Sequence, residues 1–157
     1  MDLLSHVLLN NLVFKELPLK TRWWPLIFGV APDIIGFGTM YRLEYLKKVL
    51  FFNKLPAEYV PQRVFVVYNI AHSLVIWLLV FSVLYFLNFQ LFALLYCGWL
   101  VHIVADIFTH SAHSSTGATK ILWPLSEWCF PGLAWSQKKF LVFNYGLFAI
   151  LYLLIYL

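Results

Sequence analysis

Residues 89–110 read FQLFALLYCGWLVHIVADIFTH, an apolar run that carries His102, Asp106 and His110 toward its end. A hydrocarbon core about 30 Å thick is crossed by about 20 consecutive apolar residues in a helix, so 89–108 reads as a membrane span. In a helix the His-x-x-x-Asp-x-x-x-His spacing stacks the three side chains on one face, about 6 Å apart per step. An unpaired aspartate inside a bilayer costs roughly 2.5–3.5 kcal/mol on insertion scales. A bound divalent cation offsets that easily, since structural zinc sites contribute on the order of 10 kcal/mol or more. A polar helix–helix contact would account for one histidine. Three ionisable groups on one face of an apolar span point instead to a metal, with neighbours sharing one ion or Asp106 bridging two.

Working outward, residues 64–87 and 140–157 form two more spans, and Asn88 is the turn that makes 64–87 and 89–108 an antiparallel hairpin. The first third is less regular. Residues 3–14 and 23–35 are short apolar runs, the second broken by Pro25 and by Pro32, which disfavours helix at Ala31. Short, tilted or re-entrant helices are tolerated where they pack inside protein. The expectation is an all-α polytopic membrane bundle of four to five helices without strands. It forms one domain over 1–157, with the metal site between helices.

Composition agrees. The 157 residues are 62% hydrophobic and 11% charged, and the mean hydropathy is +0.80, whereas a soluble domain carries about 25% charged residues. The net charge of +4 comes from basic residues in connecting segments: Lys15, Lys20 and Arg22; Arg42, Lys47, Lys48, Lys54 and Arg63; and Lys120, Lys138 and Lys139. That distribution reads as a topology signal and as attraction to anionic lipid. Without a recognition motif, no nucleic-acid partner is expected. The positive-inside rule puts the loops from Arg42 to Arg63 and from Lys120 to Lys139, and the site near them, on the cytoplasmic side, with Asn88 outside. Lys15, Lys20 and Arg22 then lie outside if residues 3–14 and 23–35 both span, a conflict that a shallow, re-entrant N-terminal hairpin removes. The N-terminal stretch lacks the features of a cleaved signal peptide, so His6 is expected in the mature chain. Cys97 and Cys129 read as free thiols. Glu127 among Trp123, Trp128 and Trp135 reads as a surface loop, and Glu44, Lys47 and Lys48 as a solvated helix face.

Depth links the other candidates. His72 lies nine residues in from Arg63, and His102 eight residues before His110. Both therefore sit about 12–14 Å from the same end of the hairpin, and antiparallel packing sets them opposite each other. Asp33, after Pro32, is aimed off the tip of its helix as a carboxylate ligand or general base. His6 and Asn10 share a helix face, and spacing alone leaves ligand and structural roles open. So does the choice between His110 and His113.

The ordered set His6, Pro32-Asp33, His72-Ser73, His102-x-x-x-Asp106 and Trp123-Pro124-Leu125 resembles the YdjM-like family of bacterial inner-membrane metal-dependent hydrolases. That family is similar in turn to the zinc-dependent phospholipase C and single-strand nuclease group. The resemblance implies that Asp33, His72, His102 and Asp106 form one zinc site. It also implies that Asp106 bridges to a second ion with His6 as a further ligand, and that His110 or His113 belongs to another site. The sequence departs from the soluble enzymes in lacking the N-terminal tryptophan ligand and a second His-x-x-x-Glu helix after His113.

The function expected is a membrane-bound, metal-dependent hydrolase holding one or two zinc ions. It would act on a lipid or other amphiphilic phosphoester, with Asp33 as base and membrane lipids as partners. The alternative is an intramembrane metal-binding protein without catalysis. An ion transporter would continue the polar residues toward Asn88, but residues 74–86 offer only Trp77, Ser82 and Tyr85. A haem protein with His72 and His102 as axial ligands leaves both aspartates unexplained. A metal-stabilised scaffold differs from the enzyme only in activity.

Overall fold

The computed structural model describes residues 1–43, 62–111 and 118–157. Within them the chain is helical: α1 (Leu3–Val13), α2 (Leu19–Asp33), a π-helical stretch (Ile34–Tyr41), α3 (Gln62–Ala71), α4 (Leu74–Phe86), α5 (Gln90–Thr109) and α6 (Lys138–Tyr156). His113 and the group Glu44, Lys47 and Lys48 lie outside the described residues.

Two helices, α5 and α6, are long and apolar enough to cross a membrane, with hydropathy of 1.9 and 1.7. At 1.5 Å per residue, the 20 residues of α5 span about 30 Å. The expected continuous span over 64–87 is two helices. α3 and α4 qualify as a span together, but they bend by 51° at His72-Ser73. This break is why the described residues hold six α-helices rather than four or five, the π-helical stretch being counted apart.

The groups freed at the break find partners. The Ser73 hydroxyl caps α4 by accepting from Ile76 N at 3.2 Å, and it donates to the Trp123 carbonyl. Leu74 N donates to Ile121 O at 2.9 Å, and Trp99 Nε1 donates to Ala71 O at 2.6 Å. Backbone polar groups removed from water must be paired within the protein, and these contacts pair groups of the break.

The prolines act differently from expectation. α2 runs through both Pro25 and Pro32, and at Asp33 it passes directly into the π-helical stretch. A proline removes one backbone donor and crowds the preceding turn, but packing on neighbouring helices can hold the helix together. Both prolines are buried. π-Helical turns recur at functional sites, and this one begins at the residue after Asp33.

Residue pairings give the register. α2 lies parallel to α5, with Pro25 against Gly98 and Gly29 against His102. α1 runs antiparallel to α2, with Asn10 against Gly29 and His6 near Asp33. α4 runs antiparallel to α5, where Trp77 and Tyr96 stack with ring centroids 5.9 Å apart and planes within 4°. The turn between them uses Asn88 at φ 64°, a left-handed conformation that asparagine tolerates better than most residues. α6 binds α1 through polar contacts: Asn144 to Ser5 at 2.7 Å and Asn11 to Tyr152 at 2.9 Å.

The core therefore has two storeys. Trp77, Tyr96 and Ile103 form its apolar cluster, joined by Phe28, Phe81 and Trp99. His6, His72, His102 and Asp106 are fully buried where α1, α2, α5 and the α3–α4 break converge.

Candidate metal centre

Each histidine of the central pair is held by a backbone carbonyl. His72 Nδ1 donates to Tyr68 O at 2.9 Å, and His102 Nδ1 donates to Gly29 O at 2.6 Å. A carbonyl oxygen only accepts, so the proton of each neutral ring sits on Nδ1 and the lone pair on Nε2. Those two Nε2 atoms face each other at 3.1 Å. A backbone carbonyl that holds the far ring nitrogen and fixes the tautomer in this way is the usual support of a metal-bound histidine.

Two carboxylates complete the arrangement. Asp106 Oδ2 lies 3.3 Å from both His72 Nε2 and His102 Nε2. Asp33 Oδ1 lies 3.7 Å from the same two nitrogens. All four ligand atoms fall within 4.8 Å of one another, and this buried cluster can hold a metal ion. Four donors bound tetrahedrally at about 2.0–2.2 Å sit roughly 3.3–3.6 Å apart, and the observed separations bracket that range. An all-acceptor cage without a cation sets lone pair against lone pair, which protein interiors avoid.

The other oxygens face a second group. Asp106 Oδ1 approaches His6 Nε2 at 3.1 Å and His110 Nδ1 at 3.3 Å, and it also takes the Met1 amine. Asp33 Oδ2 lies 3.9 Å from His6 Nε2. His6 Nδ1 and Nε2, Asp106 Oδ2 and His110 Nδ1 are buried without a hydrogen bond, and each such atom costs about 1–3 kcal/mol if nothing binds it. Their number at one place fits a site built for cations.

The site is stiffened by stacking. His6 lies on His102 with centroids 3.7 Å apart, and Tyr68 lies on His72 at 3.8 Å. The Tyr68 hydroxyl meets Thr119 Oγ1 at 3.3 Å. The end of α5 is clasped by the 130–135 segment, where Leu133 N and Trp135 N donate to the Phe108 and Thr109 carbonyls at 2.8 and 3.0 Å. Outside the spans, Asp2 caps α1. Burial alone would raise its pKa, but hydrogen bonds from Tyr145 and Ser5 outweigh that and hold it below the ordinary value.

The structure thus brings together Asp33, His72, His102 and Asp106, with His6 and His110 around Asp106. His110 is not on the helix face, as the spacing suggested. It is the residue that caps α5, in extended backbone. It still reaches Asp106 because its N–H bonds the Asp106 carbonyl at 3.1 Å. Sequence reasoning missed Tyr68 and Thr109, although their spacing from His72 and Asp106 on shared helices would have found both. Nothing local marks the Gly29 carbonyl. No family model matches the chain, and neither a curated protein nor a solved structure matches it significantly.

Proposed function

We propose that this protein is a membrane-bound, metal-dependent hydrolase of phosphoesters, of the kind its resemblance to the YdjM-like family implies. The observation that carries the reading is the buried acceptor cage of two tautomer-fixed histidines and two carboxylates, open to the outside through one member. The side chain of Asp33 is 24% exposed, while those of His72, His102 and Asp106 are 0% exposed.

Two imidazole nitrogens beside two carboxylate oxygens at tetrahedral separation favour zinc over magnesium or calcium, which take oxygen ligands. His6, His110 and the outward oxygens of Asp106 and Asp33 are the residues that would hold a second ion. A bound zinc ion supplies Lewis acidity and brings the pKa of a coordinated water toward about 7.

The chain's own residues do the rest. His72 and His102 are held to one orientation by Tyr68 and Gly29. Asp106 balances the charge of the cation from full burial. With a single ion bound, Asp33 takes a proton from the attacking water with the oxygen that faces His6. The aromatic cluster of Trp77 and Tyr96 closes the bundle on the Asn88 side, which favours a one-sided pocket over an ion path. A cluster carried in part by α5, a helix long and apolar enough to cross a membrane, favours an amphiphilic substrate at an inner membrane, with the cluster toward the cytoplasm by the charge of the loops.

The test is elemental analysis of detergent-purified protein beside hydrolysis assays on a phosphomonoester, a phosphodiester and a phospholipid, before and after chelation. Zinc at one or two equivalents and chelator-sensitive hydrolysis are expected. Protein that takes up no metal refutes the centre. Metal-loaded protein inactive on all three substrates refutes the hydrolase and leaves the metal-binding protein without catalysis.

A further inference from the structure

Two cavities open beside the cluster, and both are lined by Leu3 and Asp33. The smaller, about 240 Å³, also meets Asp2, Tyr68, His110 and Trp135. The larger, about 360 Å³, is also lined by Ile34, Gly38 and Arg42. Asp33, the exposed member of the cluster, is where both reach it.

The two cavities differ in charge. The smaller sets the carboxylates of Asp2 and Asp33 beside the Met1 amine, so its charge is mixed. The larger is lined by one arginine, Arg42, together with Asp33 of the cluster. Arg42 is exposed, and among the described residues no ion pair engages it. In sequence Arg42 belongs to a basic set read as a topology signal, and a topology signal has no need to line a cavity that ends on a metal-type carboxylate. A guanidinium presents a planar fork of donors that matches phosphate oxygens two at a time. An arginine and a carboxylate of the metal-type cluster lining one cavity with Leu3 and Ile34 suit a phosphate joined to an apolar body.

We infer that Arg42 is a specificity-determining residue, binding a phosphate group of the substrate in the cavity it shares with Asp33, with Leu3 and Ile34 against the substrate's apolar part. This assignment rests on the phosphoesterase reading. The phosphate can be lipid-borne or soluble, and the two sources share one recognition chemistry.

The experiment is calorimetric titration of zinc-loaded, detergent-solubilised protein with glycerol phosphate and, in mixed micelles, with phosphatidic acid. Wild type, R42Q and R42K are compared, and metal content is measured for each. R42Q should bind phosphate about tenfold to a hundredfold more weakly, with R42K between, because a charge-assisted bidentate contact is lost or reduced to a point charge. Metal content should stay at the wild-type level, since Arg42 is not in the cluster. A loss confined to phosphatidic acid supports the assignment and names a lipid phosphate. A loss confined to glycerol phosphate supports it and names a soluble one. Unchanged affinity of R42Q for both, or no binding of either by wild type, overturns it. If wild type binds phosphate through Arg42 yet hydrolyses no phosphoester, the hydrolase reading fails and the Arg42 assignment stands.

Discussion

Gly98 lies against Pro25 so closely that a Cβ on Gly98 would come within 2.2 Å of the Pro25 carbonyl oxygen and 2.7 Å of its Cα. Those atoms are backbone, so they cannot swing aside. This contact sets how near α2 approaches α5, and hence whether Gly29 and Asp33 reach His102.

Gly98→Ala is therefore expected to push the two helices apart. Overpacking of this kind costs about 1–3 kcal/mol, and here it also loosens the cluster. Thermal unfolding in detergent should show the lower stability, and metal affinity should fall with it. Gly146→Ala is the control, since nothing lies within 4 Å of a Cβ there. Equal stability of the two variants would refute the close approach.

Removing cluster residues separates the metal sites. His102→Ala and Asp106→Asn are expected to abolish metal binding, because each deletes a ligand of the four-membered group. His6→Ala keeps the ion of that group and loses any second one. Metal counted per chain by elemental analysis reads all three. Wild-type content in both His102→Ala and Asp106→Asn would end the proposal of a shared centre.

Ser73→Ala tests the helix break. It deletes the acceptor that caps α4 and the donor to the Trp123 carbonyl. A lost cap costs about 0.5–2 kcal/mol. Because His72 is the adjacent residue, a weaker metal affinity at unchanged stoichiometry is also expected, of the tenfold to hundredfold size typical of supporting-shell changes, or roughly that. Titration of the apo protein with zinc checks it.

Asp2 gives a pH test with a definite sign. Its folded pKa lies below the ordinary 3.8, so it contributes stability above that value, and the contribution disappears as the pH falls through the folded pKa. Asp2→Ala should be less stable than wild type at neutral pH by about 0.5–2 kcal/mol. The gap should narrow at pH values below 3.8. A gap independent of pH would assign the loss to packing rather than to the charged cap.

Much of the site was legible because its parts were dictated locally. A carboxylate and an imidazole in an apolar helix advertise themselves by their cost, and the depth of His72 and His102 along the hairpin put them face to face, as the 3.1 Å separation of their Nε2 atoms bears out. The break at His72-Ser73 was not legible. Residues 64–87 are almost wholly apolar, and the partners that satisfy the break, Trp99 and the Ile121 carbonyl for the backbone and the Trp123 carbonyl for the Ser73 hydroxyl, come from elsewhere in the chain. The prolines misled for the same reason in reverse, since α2 survives them by packing on α5.

By itself, then, the sequence determined that the chain is helical, that its longest apolar helices suit a membrane, and which ionisable side chains are buried at a cost that demands a partner. The tertiary structure decided which atoms of those side chains meet. A carbonyl from Gly29 selects the His102 tautomer, a bend of 51° brings His72 inward, and Gly98 lets α2 close in to deliver Asp33. Those outcomes depend on long-range contact geometry, which residue spacing along one helix does not contain.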